Sequence, residues 1–373
     1  MEELSAVLTR CEMDLPREDP ERGIKGFPVT LNGNRESVIQ AMRGLTIFEA
    51  ESVLMSGIVA TRKLGDDIIP FIVKEKAQII KKAGVLEYFA TDVTMSQVGG
   101  LPYLKEYAQV KRRAFSRDAA AFGVDAPKGV LLVGIPGTGK SLAAKAIAGG
   151  QMPLLRMDIG ALMGGLVGQS ESNMRAALKV SEAVAPCVLW VDEIEKALGG
   201  TGGGEMDGGT SARVFGTLLT WMQETPAPVY VVATANDIRS LRPELIRRFD
   251  DMFFVDLPNY ADRLEILRVH LAKRRQDSAR VDQEAVSRAC WGFSGAEIEK
   301  TVKSALEAAF FASVPLTTDH LLRAASRITP IAETMKGKID ELRSQSRTAR
   351  PAGEPLEVRP VETGTRNADL SGL

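Results

Sequence analysis

The residues best suited to chemistry in this sequence form one glycine-rich stretch that ends in a lysine and a serine. The stretch reads Gly134-Ile135-Pro136-Gly137-Thr138-Gly139-Lys140-Ser141. Glycines let backbone N–H groups close around a phosphate, and the N-terminus of a following helix adds its dipole. Lys140 is suited to neutralise β- and γ-phosphate oxygens, and the Ser141 hydroxyl is suited to bind Mg²⁺. The stretch therefore predicts a site for a nucleoside triphosphate with Mg²⁺.

The flanking residues supply the local structure that such a loop needs. An apolar run at 129–133 predicts a buried strand before the loop, and the run at 142–148 predicts a helix after it. A simple Gly-Pro turn between a strand and a helix is the alternative interpretation. The full eight-residue match favours the phosphate-binding loop.

Two adjacent carboxylates follow a second apolar run, at 187–191. Asp192 and Glu193 would be costly to bury at the end of a strand without a cation. Next to the phosphate loop, Asp192 is predicted to hold Mg²⁺ through its hydration shell, and Glu193 to orient and polarise an attacking water. Alone, a strand that ends in acids also fits a surface turn. The combination with the phosphate loop favours hydrolysis.

A third apolar run, at 229–235, ends in an amide rather than an acid. Asn236 is predicted to reach the γ-phosphate or the attacking water, which would couple hydrolysis to the position of the strand. The alternative is that Asn236 caps a turn together with Asp237.

Taken in order, these motifs resemble the AAA ATPases of the AAA+ superfamily, over roughly residues 92–345. The segment 97–101 is similar to the one that packs on adenine, although the family usually has Asp where this chain has Gln97. His270 and the segment 292–296 resemble the nucleotide-facing part of the family's helical lid. A buried histidine satisfied by the backbone is the alternative for His270. The resemblance implies ATP and Mg²⁺ as cofactors, metal contacts from Ser141 and Asp192, and a nucleotide pocket formed by Val98, Gly99, Pro136, Gly137, Thr138, Gly139, Lys140, Ser141, Leu142, His270, Gly295 and Ala296.

The segment 245–250 is similar to the short arginine-finger motif of katanin-like and membrane-remodelling AAA proteins. The resemblance implies that Arg247 and Arg248 act on the γ-phosphate held by a neighbouring subunit and stabilise charge that develops there. A solvated or salt-bridged arginine is the alternative, more so for Arg247 than for Arg248. A finger in trans implies a ring of identical subunits, expected to be a hexamer.

Within the AAA family the chain resembles a group from cyanobacteria and red-algal plastid genomes that is linked to regulation of photosynthetic carbon uptake. The likeness rests on the segments 44–51, 75–80, 84–88, 164–171 and 328–339. In that group a degenerate nucleoside-triphosphatase-like domain precedes the active one. We expect this chain to begin too late to contain it.

The composition is that of a soluble enzyme from a reducing compartment. The formal charge is −1, with 47 basic and 48 acidic residues, so no broad basic surface indicates nucleic acid. Cys11, Cys187 and Cys290 are widely spaced and, with His270 and His320, form no metal-binding pattern. Without a signal peptide or a long apolar span, we expect no membrane insertion and a cytoplasmic location, or the plastid stroma if the gene is plastid-encoded.

The order of predicted elements gives an α/β fold class: a doubly wound parallel-sheet P-loop NTPase core with a C-terminal helical lid and a short N-terminal helical segment. Strands and helices alternate over 92–258, as parallel strands with long crossovers require. The predicted domains are the N-terminal segment at 1–90, the core at 91–258, the lid at 259–330, and a helical extension with a tail at 331–373.

The two ends of the chain carry separate expectations. Prolines among charged residues predict extended structure at 1–35, and two helices are predicted near 46–62 and 66–84. These helices are either a solvated pair or, as we prefer, the remnant of the lid of a missing degenerate domain. The stretch after about 345 has few large apolar residues and is predicted to be a disordered tail.

Two loops bear on what the ring would do. The segment 199–209 has seven glycines in eleven positions and falls where the family places its second pore loop, although a solvent linker has the same composition. Leu166, Val167 and Gly168 fall where substrate-threading members carry an aromatic-apolar-glycine pore loop. Leu166 replaces the aromatic ring, which weakens the grip expected on an extended peptide.

Together these features predict an ATP hydrolase that forms a ring and remodels a protein client. The alternative is an ATP-regulated scaffold or switch that assembles without threading anything. A nucleic-acid motor is disfavoured by the charge balance and by the lack of interleaved aromatic and basic residues.

Overall fold

The computed structural model describes eleven stretches of the chain that form an N-terminal helical unit, an α/β core and a helical lid. The described residues are 2–14, 31–32, 35–42, 45–61, 64–82, 86–89, 93–149, 152–159, 162, 169–198 and 208–357. The predicted α/β fold class with its C-terminal lid is confirmed.

The N-terminal unit packs four helices around their own apolar core. Its elements are α1 (Glu2–Asp14), β1 (Leu31–Asn32), α2 (Arg35–Met42), α3 (Ile47–Thr61), β2 (Leu64–Gly65) and α4 (Ile69–Lys82). Helices α3 and α4 confirm the two helices predicted near 46–62 and 66–84. The prediction of extended structure at 1–35 is wrong for 2–14, because Val7, Leu8 and Cys11 recur at helical spacing and are buried.

The core is a seven-stranded sheet whose outer strand β3 is antiparallel to the rest. Its strands are β3 (Leu86–Phe89), β4 (Gly129–Gly134), β5 (Leu154–Met157), β6 (Cys187–Val191), β7 (Val229–Ala235), β8 (Asp251–Val255) and β9 (Arg350–Pro351). They lie in the order β3-β5-β6-β7-β4-β8-β9. Strands β6, β7 and β4 are parallel neighbours, so the segments that follow them meet at one edge of the sheet. This order brings the three predicted motifs together.

Helices cover both faces of the sheet. The core helices are α5 (Pro102–Arg113), α6 (Arg117–Phe122), α7 (Lys140–Ala148), α8 (Gln169–Val184), α9 (Glu195–Leu198), α10 (Gly208–Glu224) and α11 (Pro243–Ile246). Helices α8 and α10 pack on one face and α5 and α7 on the other, because successive side chains of each strand point to opposite faces and both are apolar. The result is a three-layer sandwich with the phosphate loop at its edge.

The lid consists of four helices, and a two-helix extension follows it. The lid helices are α12 (Tyr260–Lys273), α13 (Gln283–Ala289), α14 (Gly295–Phe311) and α15 (Thr318–Ser326), and the extension holds α16 (Ile331–Thr334) and α17 (Lys336–Gln345). The Ser294 side chain accepts from the Glu297 backbone N–H and the Glu297 carboxylate accepts from Ser294, a capping box that starts α14 beside the phosphate loop.

The predicted disordered tail after about 345 is wrong for the part of it that the structure describes. Strand β9 pairs in parallel with β8, and the backbone N–H of Ala352 donates to the carbonyl of Phe254 at 3.0 Å. We call residues 350–357 the C-terminal strap. Its few apolar residues suffice because main-chain hydrogen bonds and ion pairs, rather than a hydrophobic face, hold it on the sheet edge.

Several predictions fall on residues that the structure does not describe. The pore-loop residues Leu166, Val167 and Gly168, most of the glycine-rich segment 199–209 and the last residues 358–373 lie outside the described residues. Of the helices that are described, none combines the length and the apolar character required to cross a membrane.

Candidate functional site

The phosphate loop joins the buried strand β4 to the start of α7. Gly137 has a φ of +79°, a conformation that suits glycine, and its carbonyl accepts a hydrogen bond from the Ala296 backbone N–H at 3.0 Å. Thr138 Oγ1 donates to the Ile135 carbonyl at 2.8 Å. These bonds shape the loop and tie it to the N-terminus of the lid helix α14.

Lys140 is buried and folded back onto the loop. Its Nζ donates to the carbonyls of Gly134 and Ile135 at 2.9 and 2.8 Å. Burial lowers the pKa of Lys140 to about 8, while the carboxylates of Glu195, Asp192 and Glu193 act in the opposite direction. The amine therefore lies where phosphate oxygens would replace backbone carbonyls as its acceptors.

Asp192 receives two hydroxyl hydrogen bonds at one carboxylate oxygen. Ser141 Oγ and Thr234 Oγ1 both donate to Asp192 Oδ1, at 2.9 and 2.6 Å. The Thr234 oxygen in turn accepts from the backbone N–H of Glu193 at 2.9 Å. The predicted metal residues Ser141 and Asp192 are thus in direct contact, and Thr234 on the neighbouring strand holds both acidic residues in place.

Glu193 lies just beyond β6 in a left-handed backbone conformation, with a φ of +49°. Asn236 Nδ2 donates to Glu193 Oε1 at 3.3 Å, and Lys196 forms an ion pair with Oε2. The backbone N–H of Asn236 donates to Glu195 Oε1 at 2.9 Å. A non-glycine residue in this conformation is strained, and such strain is common at functional sites.

A second part of the cavity wall, where the loop before α5 meets the lid helix α12, includes Val98, Gly99, Ile266 and Val269. A Cβ on Gly99 would lie 2.6 Å from the backbone of Ile266, so only glycine allows this approach of the loop to the lid. Glu265 binds the loop from the lid, with Oε2 accepting from the Gly100 N–H and Oε1 from Lys105 Nζ, both at 2.7 Å. This part of the wall suits a flat aromatic base.

One cavity of about 440 Å³ joins these parts. All twelve residues predicted for the nucleotide pocket line it, together with Glu193 and Asn236. His270 is on its wall, where burial lowers the pKa of the imidazole. Arg274 Nη1 lies 3.3 Å from His270 Nδ1, so the ring is oriented by the residue that caps the C-terminus of its helix. Size and lining fit a nucleoside triphosphate.

The side-chain oxygens near the phosphate loop suit a Mg²⁺ ion that is held partly by phosphates and waters, rather than a metal ion held by protein side chains alone. The described residues contain no cluster of three or more histidine, cysteine, aspartate or glutamate side chains that could hold a metal alone. Mg²⁺ usually takes one or two protein oxygens, with phosphates and waters completing its shell. Ser141 Oγ and Asp192 Oδ1, 2.9 Å apart, are such a pair.

Comparisons with known proteins agree with this geometry. The model of the ATPase family associated with various cellular activities (AAA) matches residues 130–257, and that of the SpoVK-like AAA ATPase, second domain, matches residues 2–83. The AAA domain-containing protein ycf46 of Pyropia yezoensis is 41% identical over 351 residues, which cover 91% of this chain and 71% of that protein. The chain belongs to the AAA ATPase family. The resemblance predicted from the sequence is thereby confirmed.

Two further matches define the extent of the likeness. The ycf46 protein of Guillardia theta is 41% identical over 311 residues, which cover 82% of this chain and 61% of that protein. The crystal structure of the FIGL-1 AAA domain superposes with a TM-score of 0.59 at 20% identity, covering 74% of this chain and 96% of that domain. The first match extends beyond the nucleotide-binding core, and the second shows the shared AAA fold.

The arginine pair of this AAA chain lies away from its own cavity. Arg247 follows α11 and is exposed, whereas Arg248 is half-buried and its Nε is buried without a hydrogen-bond partner among the described residues. Neither side chain lines the nucleotide cavity. Within one copy of the chain, these two predicted catalytic residues thus lie outside the cavity that Glu193 and Asn236 line.

Three residues that contribute to the AAA site were not identified from the sequence. The Thr234 hydroxyl donates a hydrogen bond to Asp192. The carboxylate of Glu195 accepts from the backbone N–H of Asn236, and that of Glu265 accepts from the backbone N–H of Gly100. Thr234 was visible as the one hydroxyl residue near the end of an apolar run. The contact of Glu265 joins residues 165 positions apart, and no local pattern indicates such a contact.

Proposed function

We propose that this protein binds ATP with Mg²⁺ and hydrolyses it to ADP and phosphate. The carrying observation is that Ser141 of the phosphate loop, Asp192, Thr234, Glu193 and Asn236 are connected by hydrogen bonds, and that all of them except Asp192 line the cavity. Mg²⁺, when bound, would neutralise phosphate charge and orient the oxygens. Ser141 and Asp192 are the residues that would hold it.

Each remaining residue has a role that follows from its contacts. Lys140 would exchange the carbonyls of Gly134 and Ile135 for phosphate oxygens. The negative charge of these oxygens would keep its amine protonated. Glu193 would accept a hydrogen bond from the attacking water and take up its proton. Asn236 would fix the orientation of Glu193 and sense the phosphate. Val98, Gly99 and His270 would contact the base or the ribose.

We infer a ring, expected to be a hexamer, in which Arg248 of one subunit completes the site of its neighbour. Support comes from the position of Arg248 outside its own cavity and from the unpartnered buried Nε among the described residues. A guanidinium supplied in trans stabilises charge on the transferring phosphoryl group. Arg247, which is more exposed, would assist at the same interface.

The work done by hydrolysis is proposed to be the remodelling of a protein partner. The alternative, an ATP-regulated scaffold, is favoured by Leu166, which stands where threading relatives carry an aromatic residue. The buried cysteines Cys11, Cys187 and Cys290 suit a reducing compartment such as the cytosol or a plastid stroma.

Light scattering on a variant that binds but does not hydrolyse ATP tests this proposal. Glu193→Gln with ATP should form a closed oligomer of the 40.3 kDa chain, whereas Lys140→Ala should stay small. A Glu193→Gln protein that stays monomeric with ATP bound would contradict the ring. With a partner captured by the ATP-bound oligomer, stimulation of wild-type ATPase would favour remodelling, and ATP-dependent binding without stimulation would favour the scaffold.

A further inference from the structure

The wall of the nucleotide cavity carries a carboxylate that none of the roles above uses. Glu299 lines the cavity on the lid helix α14, about one turn beyond Ala296. A negative charge repels a triphosphate. A carboxylate on this wall can accept hydrogen bonds from a ligand group that donates them.

One oxygen of Glu299 is saturated and the other is free to accept. Oε1 accepts from Arg274 Nη2 and from Lys303 Nζ, each at 2.9 Å. Oε2 has no hydrogen-bond partner within the described part of the chain. The hydrogen bond from Lys303, followed by that from Arg274, lowers the pKa of Glu299 to about 2 against the effect of burial. The side chain is thus an ionised acceptor held in place by two cations.

The two ends of the cavity are assigned by other residues. Lys140 marks the phosphate end, and Gly99 with Ile266 marks the flat apolar end. In a nucleotide the ribose links the base to the phosphates, so it must lie between these ends. The hydrogen bond from Ala296 to Gly137 fixes the start of α14 over the phosphate loop. Glu299 lies one turn further along this helix and shares its partner Arg274 with His270, the residue that we place at the base or the ribose.

We propose that Glu299 accepts hydrogen bonds from the ribose hydroxyls and makes the pocket selective for ribonucleotides over deoxyribonucleotides. A ribose presents two adjacent hydroxyl donors, and an ionised carboxylate is the acceptor that other nucleotide-binding folds use for the 2′-hydroxyl. A site built to bind a hydroxyl discriminates strongly against an analogue that lacks it, because its acceptor is then left unpaired. This inference rests on the proposed nucleotide pocket.

Calorimetric binding of diphosphates to the full chain tests the proposal without hydrolysis. Wild type should bind ADP about tenfold more tightly than 2′-deoxyADP or 3′-deoxyADP, as expected for a hydrogen bond to a charged group. Glu299→Ala should bind ADP and at least one deoxy analogue equally, with the affinity for that analogue close to its wild-type value. Glu299→Gln, which keeps an acceptor without charge, should retain part of the preference.

Matched variants separate ribose recognition from a role in holding the lid. Glu307→Gln alters an exposed carboxylate on the same helix and should keep the full preference for ADP. Equal binding of ADP and both deoxy analogues by wild type would overturn the inference, and so would an equal loss of affinity for all three ligands in Glu299→Ala and Glu299→Gln. Binding of ADP that is abolished by Lys140→Ala would still support the pocket, so a failure of this inference is distinguishable from a failure of the proposed function.

Discussion

Asn236 donates a hydrogen bond from Nδ2 to Oε1 of Glu193 at 3.3 Å, which joins the ends of the neighbouring strands β7 and β6. The backbone of Asn236 is fixed independently, because its N–H donates to Glu195 at 2.9 Å. The Asn236 amide is therefore held in position and can orient the Glu193 carboxylate. A movement of β7 as a whole would shift this amide and change the orientation of Glu193.

Removal of this amide should slow hydrolysis without weakening nucleotide binding. Asn236→Ala should lower the turnover rate by about a hundredfold, the scale found when one preorganised donor is lost from an active site. The affinity for ATP should persist because Lys140 and the phosphate loop are unchanged. Steady-state ATPase assays and calorimetry check the two parts. Ser240→Ala, which removes an exposed hydrogen bond in the same segment, is the matched control and should have near-normal turnover.

Arg248 should act on the site of a neighbouring subunit. Arg248→Ala should keep its ATP affinity and lose roughly a thousandfold in turnover, the lower end of arginine-finger effects. Mixed rings of Arg248→Ala and Lys140→Ala contain some interfaces with an intact pocket and an intact finger. ATPase activity of the mixture should therefore exceed that of either variant alone. An inactive mixture, in rings shown by mass to be mixed, would assign Arg248 to its own subunit.

The buried carboxyl group of Asp262 should make the stability of the protein depend on pH. Burial raises its pKa from 3.8 to about 6, with a further contribution from Glu265. The folded state therefore keeps a proton that the unfolded state releases near pH 4, and the free energy of unfolding falls as pH rises from about 4 to 6. Above about pH 6, the ionised carboxylate lowers the free energy of unfolding by at most about 3 kcal/mol.

Asp262→Asn should remove this dependence. Its free energy of unfolding, measured with urea, should exceed that of wild type by more at pH 7 than at pH 4.5. Asp319→Asn, which changes an exposed carboxylate of α15, should alter stability little at either pH. A stability difference between Asp262→Asn and wild type that stays constant from pH 4.5 to pH 7 would show that Asp262 ionises normally in the folded protein.

The C-terminal strap should stabilise the lid through the Glu357 side chain, which pairs with Arg263 and also accepts from the backbone N–H of Tyr260 at 2.9 Å. Arg263 on α12 is 1% exposed and donates from Nη2 to Glu357 Oε1 at 2.6 Å. Glu357→Ala would leave this guanidinium without its carboxylate, although the carbonyls of Ser287 and Pro258 would still accept from it. Because Glu357 is one-third exposed, we expect a loss of about 1 to 2 kcal/mol in urea unfolding. Glu354→Ala, at an exposed position of the same strap, should cost less.

The site residues that directly follow a recognisable apolar run were predictable from the sequence. Lys140, Asp192 and Asn236 each follow an apolar run, and parallel strands bring such ends to one sheet edge. The role of Thr234 was not predictable, because its hydroxyl acts through a contact to Asp192 on another strand. Spacing within one strand carries no information about that contact.

Predictions for the two ends of the chain failed for a similar reason: the contacts that order these segments are not visible in the local sequence. Helix α1 was missed because prolines outside it dominated the interpretation of 1–35, although Leu8 and Cys11 are buried. The strap was missed because its stabilising partners, such as Phe254 and Arg263, lie about a hundred residues earlier in the chain. Low apolar content predicts disorder only where no preformed sheet edge accepts the segment.

Turnover by Glu193→Gln, measured together with its ATP affinity, is the most direct test of the account. The amide keeps the size of the side chain but cannot take a proton from water, while Lys140, Ser141 and Asp192 are untouched. The account predicts ATP binding close to that of wild type, with hydrolysis slowed by at least about a hundredfold. Near-normal turnover by this variant would contradict the assignment of Glu193 as the catalytic carboxylate.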